Sequence, residues 1–317
     1  MISEKDMQYK SVVFVGTNEP KRFAVRNGEL LLCDAEGKTL TKFPFQKIAA
    51  LFVVGSCTLT SQILEKLAKH AVPFCLMTQS LRPVLWKADM AEANYILRRK
   101  QYALQKEDIS IARRLILNKT KNQIRLLQRK TGTEEAVSTL ERRKESIQSC
   151  LSYDELMSLE AHSAKLFFRT WFSSIRWSSR KPRLKIDPVN VTLDIGYTIL
   201  FNFIESNLRL FGFDLYVGVY HRDWFRRKSL VCDVMEPFRC IIDRETLLSF
   251  REKRFRNTDF EFMDGHYELK RDKAPVYYRS YAEAVVSFKM QIYRFVRDYY
   301  RCFSKEADAE AYPFFLI

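Results

Sequence analysis

No Cys-x-x-Cys pair occurs in this chain, and its seven cysteines (Cys33, Cys57, Cys75, Cys150, Cys232, Cys240 and Cys302) form an odd set. That argues against a zinc ribbon, an iron–sulfur site and the even disulfide framework of a small secreted protein. The opening residues, MISEKDMQYK, are charged and have no apolar core of the kind a signal peptide carries. The longest aliphatic runs, such as Ile48 to Val54, are too short to cross a bilayer. There is no low-complexity segment and no internal repeat. These absences lead us to expect a soluble, intracellular protein.

What is present is size and positive charge. At 317 residues the chain exceeds one typical domain, since hydrophobic cores tend to split beyond about 250 residues. A hydrophobic content of 47% with 29% charged residues describes an ordinary globular protein. The net charge of +15 and a pI near 9.5 point to a polyanionic partner. Residues 1–87 carry 12 basic and 7 acidic residues, a net +5, and the remainder carries 41 and 31, a net +10. Both parts are basic, so the charge is not confined to a tail.

Residues 11–87 read as strands. Ser11–Val15, Arg22–Val25 and Glu29–Cys33 are short and apolar, punctuated by Asn18-Glu19-Pro20, Asn27-Gly28 and Glu36-Gly37 as turns. Ala49–Val54 and Pro73–Met77 read as buried strands. Between them Ile63, Leu64 and Leu67 mark a helix, with Thr60 or Ser61 as its N-cap. From Met90 the period changes. Glu92 to Arg129 has neither Gly nor Pro and reads as one long helix, its polar face filled by Arg98, Arg99, Arg113, Lys119, Lys121 and Arg125 among others. Helical patterns follow over Glu134–Cys150, from Tyr153, and over Asn190–Leu210. The expected fold is α+β in two domains: a small β-rich domain with one helix over residues 1–87, then a larger all-α domain over 88–317.

The stretch from Gly212 to Asp243 concentrates the chemistry. His221, Asp233 and Glu236 fall within sixteen residues, and an imidazole with carboxylates suits a divalent metal. Arg222, Trp224, Phe225, Arg226, Arg227 and Lys228 lie between them, cations and aromatics suited to phosphates and unstacked bases. Each signal also has a plainer explanation. His221 fits a hydrogen-bonded helix or loop histidine equally well, and the Asp233/Glu236 spacing followed by Pro237 fits a helix-capping box. For Trp224 and Phe225, packing is slightly favoured over stacking on bases. Glu160 sits at the margin of an apolar helix face. The loop Arg180-Lys181-Pro182-Arg183 is poorly explained by helix solvation and suits phosphate contacts.

The order of these pieces resembles the CRISPR-associated integrase family, the DNA-cutting-and-joining subunit of spacer acquisition. The resemblance lies in Leu159-Glu160-Ala161-His162-Ser163 through Phe168, with Ala161 where the family usually has glycine. It continues in Asp187-Pro188-Val189-Asn190 through Leu193-Asp194-Ile195-Gly196-Tyr197, and in Gly212-Phe213-Asp214 leading to Gly218-Val219-Tyr220-His221. It ends in Ser229 through Arg239, reaching Asp243. The resemblance implies Glu160, His221 and Glu236 as ligands of Mg²⁺ or Mn²⁺, and Asp233 beside them in the catalytic set as a ligand or a supporting carboxylate. It makes Asn190 and Tyr197 supportive residues near the site. Arg180, Lys181, Arg183, Arg226, Arg227, Lys228 and Trp224 would contact DNA.

The implied reaction is attack of a 3′-hydroxyl of a short DNA fragment on a phosphodiester at a repeat. The implied partners are double-stranded DNA, a second copy of the chain joined through the sheet domain, and a small companion subunit; the implied location is a prokaryotic cytoplasm. Two rival readings stand beside it: a structure-specific metal-dependent nuclease of DNA repair, which would use the same residues, and a DNA-binding scaffold without catalysis. The terminal YPFFLI is apolar enough to dock on a partner or on the protein's own core.

Overall fold

The computed structural model describes residues 3–87, 93–104, 108–175, 177, 179–222 and 224–317. A short helix, α1 (Glu4–Tyr9), is closed by a reciprocal Ser3–Asp6 capping box and leads into β1 (Ser11–Arg26). Asn18-Glu19-Pro20, expected as a turn between two strands, lies inside this single strand. Its effect is a register shift between Thr17 and Lys21 against a parallel neighbour. A proline removes one ladder donor, which an irregular pairing tolerates.

β1 pairs with β2 (Glu29–Cys33), which pairs with β3 (Thr39–Pro44); on its other side lie β4 (Ile48–Thr58), β5 (Phe74–Met77) and β6 (Pro83–Lys87). β1 and β4 are parallel, as are β4 and β5, whose crossover is α2 (Ser61–Lys69); the remaining pairs are antiparallel. The two edge strands, β3 and β6, have largely exposed or half-buried side chains and so carried no alternating signal. One face of the sheet buries Val13, Val15, Leu51 and Val53 with Ile63 and Leu67 of α2. The other face turns Ala50, Phe52 and Val54 into the core of the helical part.

That helical part contains α3 (Tyr95–Tyr102), α4 (Ser110–Leu127), α5 (Glu134–Ser149), α6 (Tyr153–Trp171), α7 (Pro188–Phe211), α8 (Ser229–Met235), α9 (Arg239–Arg251), α10 (Ala274–Ser287) and α11 (Lys289–Lys305). The single helix expected from Glu92 to Arg129 is therefore two. Asp108 accepts the backbone N–H of Ser110 at 2.9 Å, a local bond that competes with helix continuation and opens α4. The part is also not wholly helical: β7 (Phe260–Met263) and β8 (His266–Leu269) form a hairpin around Asp264-Gly265, both at positive φ (49° and 80°). The expected domain boundary at residue 88 lies outside the described residues.

α7 is the axis of this part, buried along most of its length. It is opened by Asp187, whose carboxylate accepts the Asn190 N–H at 2.7 Å, with Pro188 in the first turn, and closed by Gly212 at φ 84°. At Gly196 a β-carbon would stand 2.5 Å from Ile242 Cγ2 and 2.8 Å from Tyr281, so α9 and α10 approach α7 closely only because this side chain is missing. Phe203 of α7 meets Phe52 of β4 at 6.3 Å between ring centroids, which joins sheet and helices through one core.

The terminal segment docks on the protein itself. Phe315 donates its N–H to Asn118 Oδ1 at 2.8 Å and accepts from Asn118 Nδ2 at 2.5 Å. Asn122 Nδ2 donates to both Phe315 O and Pro237 O at 3.0 Å. α4 is thereby tied at once to the tail and to the turn that follows α8.

Candidate active site

Three elements converge on a cavity of about 400 Å³ lined by Tyr153, Met157, Glu160, Tyr220, His221, Arg222, Arg227 and Glu236. Glu160 comes from the middle of α6, which starts where Ser152 caps the Glu155 N–H. His221 comes from the loop after α7. Glu236 opens a single 3₁₀ turn (Glu236–Phe238) between α8 and α9, where Pro237 falls in the first turn and is tolerated.

Asp233 is not a helix cap. It lies within α8, fully buried, and turns toward the His221 loop instead of its own helix start. Its Oδ2 accepts the N–H groups of Val219 (2.7 Å) and Tyr220 (3.0 Å). Its Oδ1 accepts the N–H of His221 (2.9 Å) and pairs with His221 Nδ1 (2.6 Å). Both oxygens are thus committed to fixing the loop and the imidazole, which leaves Nε2 for the cavity. The carboxylate–histidine pairing is the arrangement that orients metal-binding imidazoles. Gly218 makes it possible, because a β-carbon there would stand 2.5 Å from Asp233 Oδ2.

Lys119 of α4 is the site residue that the sequence reading assigned elsewhere. Placed there on a solvated basic face, it is 9% exposed, and its ammonium pairs with both Glu160 Oε1 and Glu236 Oε2, the latter at 2.7 Å. Arg239 Nε also stands 3.0 Å from Glu236 Oε2. Burial alone would lower the Lys119 pKa and raise that of Glu236. The Glu160 and Glu236 charges more than offset it for Lys119, as Arg239, Lys119 and His221 do for Glu236, so both groups are held ionised. A sequence signal existed: Leu115, Lys119 and Asn122 recur at helical spacing with Ala112 on the buried stripe of α4.

Among the described residues, no three His, Cys, Asp or Glu side chains are grouped as a ready metal site. The donor set nevertheless fits a divalent ion. Two carboxylates are drawn to one cation, and an imidazole lines the same cavity. The buried Glu236 Oε2 has no partner of hydrogen-bonding geometry although two cations stand at ion-pair distance.

The remaining candidates divide by environment. Arg180 is drawn into an ion pair with Asp194, a 2.9 Å bond to Asn190 Oδ1 and a position 5.4 Å from the Tyr197 ring centroid. Asn190 holds the Arg180–Lys181 loop to the start of α7, accepting from the Lys181 N–H at 2.7 Å and donating to Ser179 O at 3.0 Å. Lys181 and Arg183 are exposed, as is Arg226. Lys228 is tied to the buried Glu205 at 2.7 Å. Trp224 and Phe225, expected to pack, are 77% and 83% exposed, beside Arg222 and Arg227 on the cavity wall. Tyr197 donates its hydroxyl to Asp243, a buried carboxyl that desolvation pushes up to about 7. Arg239 stacks on the same Tyr197 ring at 4.7 Å, linking this pair to Glu236.

A sheet domain thus feeds a helical domain that carries acidic residues and a histidine in a basic-rimmed cavity. The sequence profile of the family described as CRISPR associated protein Cas1 matches residues 17–283, and the chain belongs to that family. It is 27% identical over 293 residues to a CRISPR-associated endonuclease Cas1 of Thermodesulfovibrio yellowstonii, covering 87% of this chain and 91% of that one. It is also 27% identical to a Cas1 endonuclease of Rhodospirillum rubrum, covering 78% of this chain and 79% of the relative. A Cas1 protein of Thermotoga maritima shares the fold with a TM-score of 0.76 at 18% identity, over 92% of this chain and 97% of that one. A casposase bound to integration product superposes with a TM-score of 0.76 at 17% identity, over 94% and 92% of the two chains. The family supports a role as the integrase and nuclease of CRISPR adaptation. No helix among the described residues is long and apolar enough to cross a membrane.

Proposed function

We propose that the chain joins 3′-hydroxyl ends of short DNA fragments into a repeat by transesterification at this cavity. The observation that carries the reading is the convergence of Glu160, His221 and Glu236 on one basic-rimmed cavity, with Asp233 wholly committed to orienting His221. Glu160, His221 and Glu236 would hold Mg²⁺ or Mn²⁺, which when bound polarises the scissile phosphate and stabilises the leaving alkoxide. Arg222 and Arg227 on the cavity wall would neutralise phosphate oxygens, with Lys181, Arg183 and Arg226 extending that contact along the duplex. Trp224 and Phe225, adjacent and exposed, offer ring faces to unstacked bases at the joint. Arg180 and Lys228, held by Asp194 and Glu205, serve by fixing the loops that bear these contacts.

Double-stranded DNA, a second copy and a small companion subunit complete the proposal. Structures resembling this chain include a chain of a partial Cas6-RT-Cas1–Cas2 complex (TM-score 0.70, 17% identity), which supports a Cas2-like companion. The casposase seen with integration product supports joining chemistry on this fold.

The test incubates the full chain with Mn²⁺ or Mg²⁺, a 3′-hydroxyl duplex and supercoiled repeat DNA, with and without a companion subunit, beside Glu160→Ala. Covalently joined product, lost in the variant and with EDTA, is expected. Hydrolysis without joining would replace this reading by a nuclease, and absence of any metal-dependent product would leave only DNA binding.

A further inference from the structure

Lys119 contacts both carboxylates that the proposed function assigns to the metal, whereas Arg239 contacts Glu236 alone. Its placement is built into the fold. Asn118 and Asn122, on the same turns of α4, are committed to Phe315 and to the Pro237 carbonyl beside Glu236, so α4 is fixed against the turn carrying that glutamate. Lys121, two residues on, is exposed. With Lys119 and Arg239 in place, the charges of Glu160 and Glu236 are already balanced. A divalent ion added to that set would leave a buried excess of positive charge.

Resting on the metal-ligand reading of Glu160 and Glu236, we propose that the Lys119 ammonium is an internal competitor for the divalent cation. It holds the two carboxylates together until the ion enters, and it leaves them when the ion binds. The ion's affinity is set by this exchange and not by the carboxylates alone. A protein with this device binds its metal weakly and reversibly, and removing the ammonium strengthens binding at the same ligands.

The test measures Mn²⁺ binding to the full chain by isothermal titration calorimetry for the wild type, Lys119→Met, Lys121→Met and Glu160→Ala. Lys119→Met should bind Mn²⁺ about tenfold more tightly, within the usual range for coupling between two groups, while Lys121→Met matches the wild type. A second measurement needs no variant: mass-spectrometric amine labelling of the wild type should rise at Lys119 when Mn²⁺ is added and stay constant at Lys121. It decides the matter if Lys119→Met does not fold. Glu160-dependent binding that Lys119→Met leaves unchanged or weakens, or labelling of Lys119 indifferent to Mn²⁺, overturns the exchange and leaves the site reading intact. Binding indifferent to Glu160→Ala overturns the site reading, and the exchange with it.

Discussion

Asp233→Asn keeps the shape of the side chain but turns one of its two acceptor oxygens into a donor, set against either the Val219 and Tyr220 N–H groups or the His221 N–H and Nδ1. Loss of those buried bonds should cost about 1–3 kcal/mol of stability, and loss of the imidazole's orientation should weaken Mn²⁺ binding about 10- to 100-fold. Urea unfolding and calorimetric titration check the two effects, and a variant with unaltered metal affinity would remove Asp233 from the positioning role. Asp243 gives a pH dependence. Its carboxyl is raised by burial from 3.8 to about 7, against the lowering effect of Tyr197, Arg239, Lys119 and Arg180. Between these values the folded chain holds a proton that the unfolded chain has lost, so this group's contribution is fully present below about pH 4 and is lost as pH rises through about 7. Asp243→Asn should remove that loss with rising pH, so its stability relative to wild type should be more favourable at pH 8 than at pH 5 by about 2–4 kcal/mol. An equal difference at the two pH values would contradict it. At this scale ordered motifs singled out Glu160, His221 and Glu236, which the fold brings to one cavity. Lys119 shares the stripe of Ala112 and Leu115, but a lysine among many on a helix reads as solvated until the partner carboxylates are brought to it from α6 and from the turn after α8.

The loop between His221 and α8 places two large aromatics in solvent while its ends are fixed, by Asp233 at His221 and by Glu205 at Lys228. Such exposure contributes little to folding, so replacing both Trp224 and Phe225 by alanine should change the melting temperature by less than about 2 °C. Each stacked base lost should weaken single-strand binding by about 1–3 kcal/mol. Fluorescence anisotropy with splayed and fully paired duplexes separates the cases, and a melting loss without a binding loss would show that the rings pack. The helices α5, α6 and α7 were legible from apolar periodicity, and in the structure Ser152 and Asp187 cap the starts of α6 and α7. The break between α3 and α4 was not, because it falls in a stretch without glycine or proline, α3 ending at Tyr102 and α4 opening at Ser110. Nor were β3 and β6, whose side chains face solvent at the sheet edges.

On the scale of the whole molecule, the sheet's second face is covered by the helical part, and Phe52 lies between Phe14, Trp86 and Phe203. Sheet and helices sharing one core should unfold together. Phe203→Ala is expected to lower stability by about 3–5 kcal/mol and to shift one transition seen alike by near-UV and far-UV circular dichroism, whereas two separate transitions would show independent domains. The change from period-two to helical patterning near residue 88 was legible in the sequence. The burial of that interface was not, since which sheet face is covered depends on contacts more than a hundred residues apart, such as Phe52 with Phe203. In the proposed function α6, the His221 loop and the turn after α8 present one metal centre. Anomalous diffraction at the manganese edge from crystals grown with Mn²⁺ tests it directly. A single peak in the cavity in contact with Glu160, His221 and Glu236 is expected, with Lys119 withdrawn from the carboxylates. A peak held by other residues, or none at saturating Mn²⁺, would contradict it.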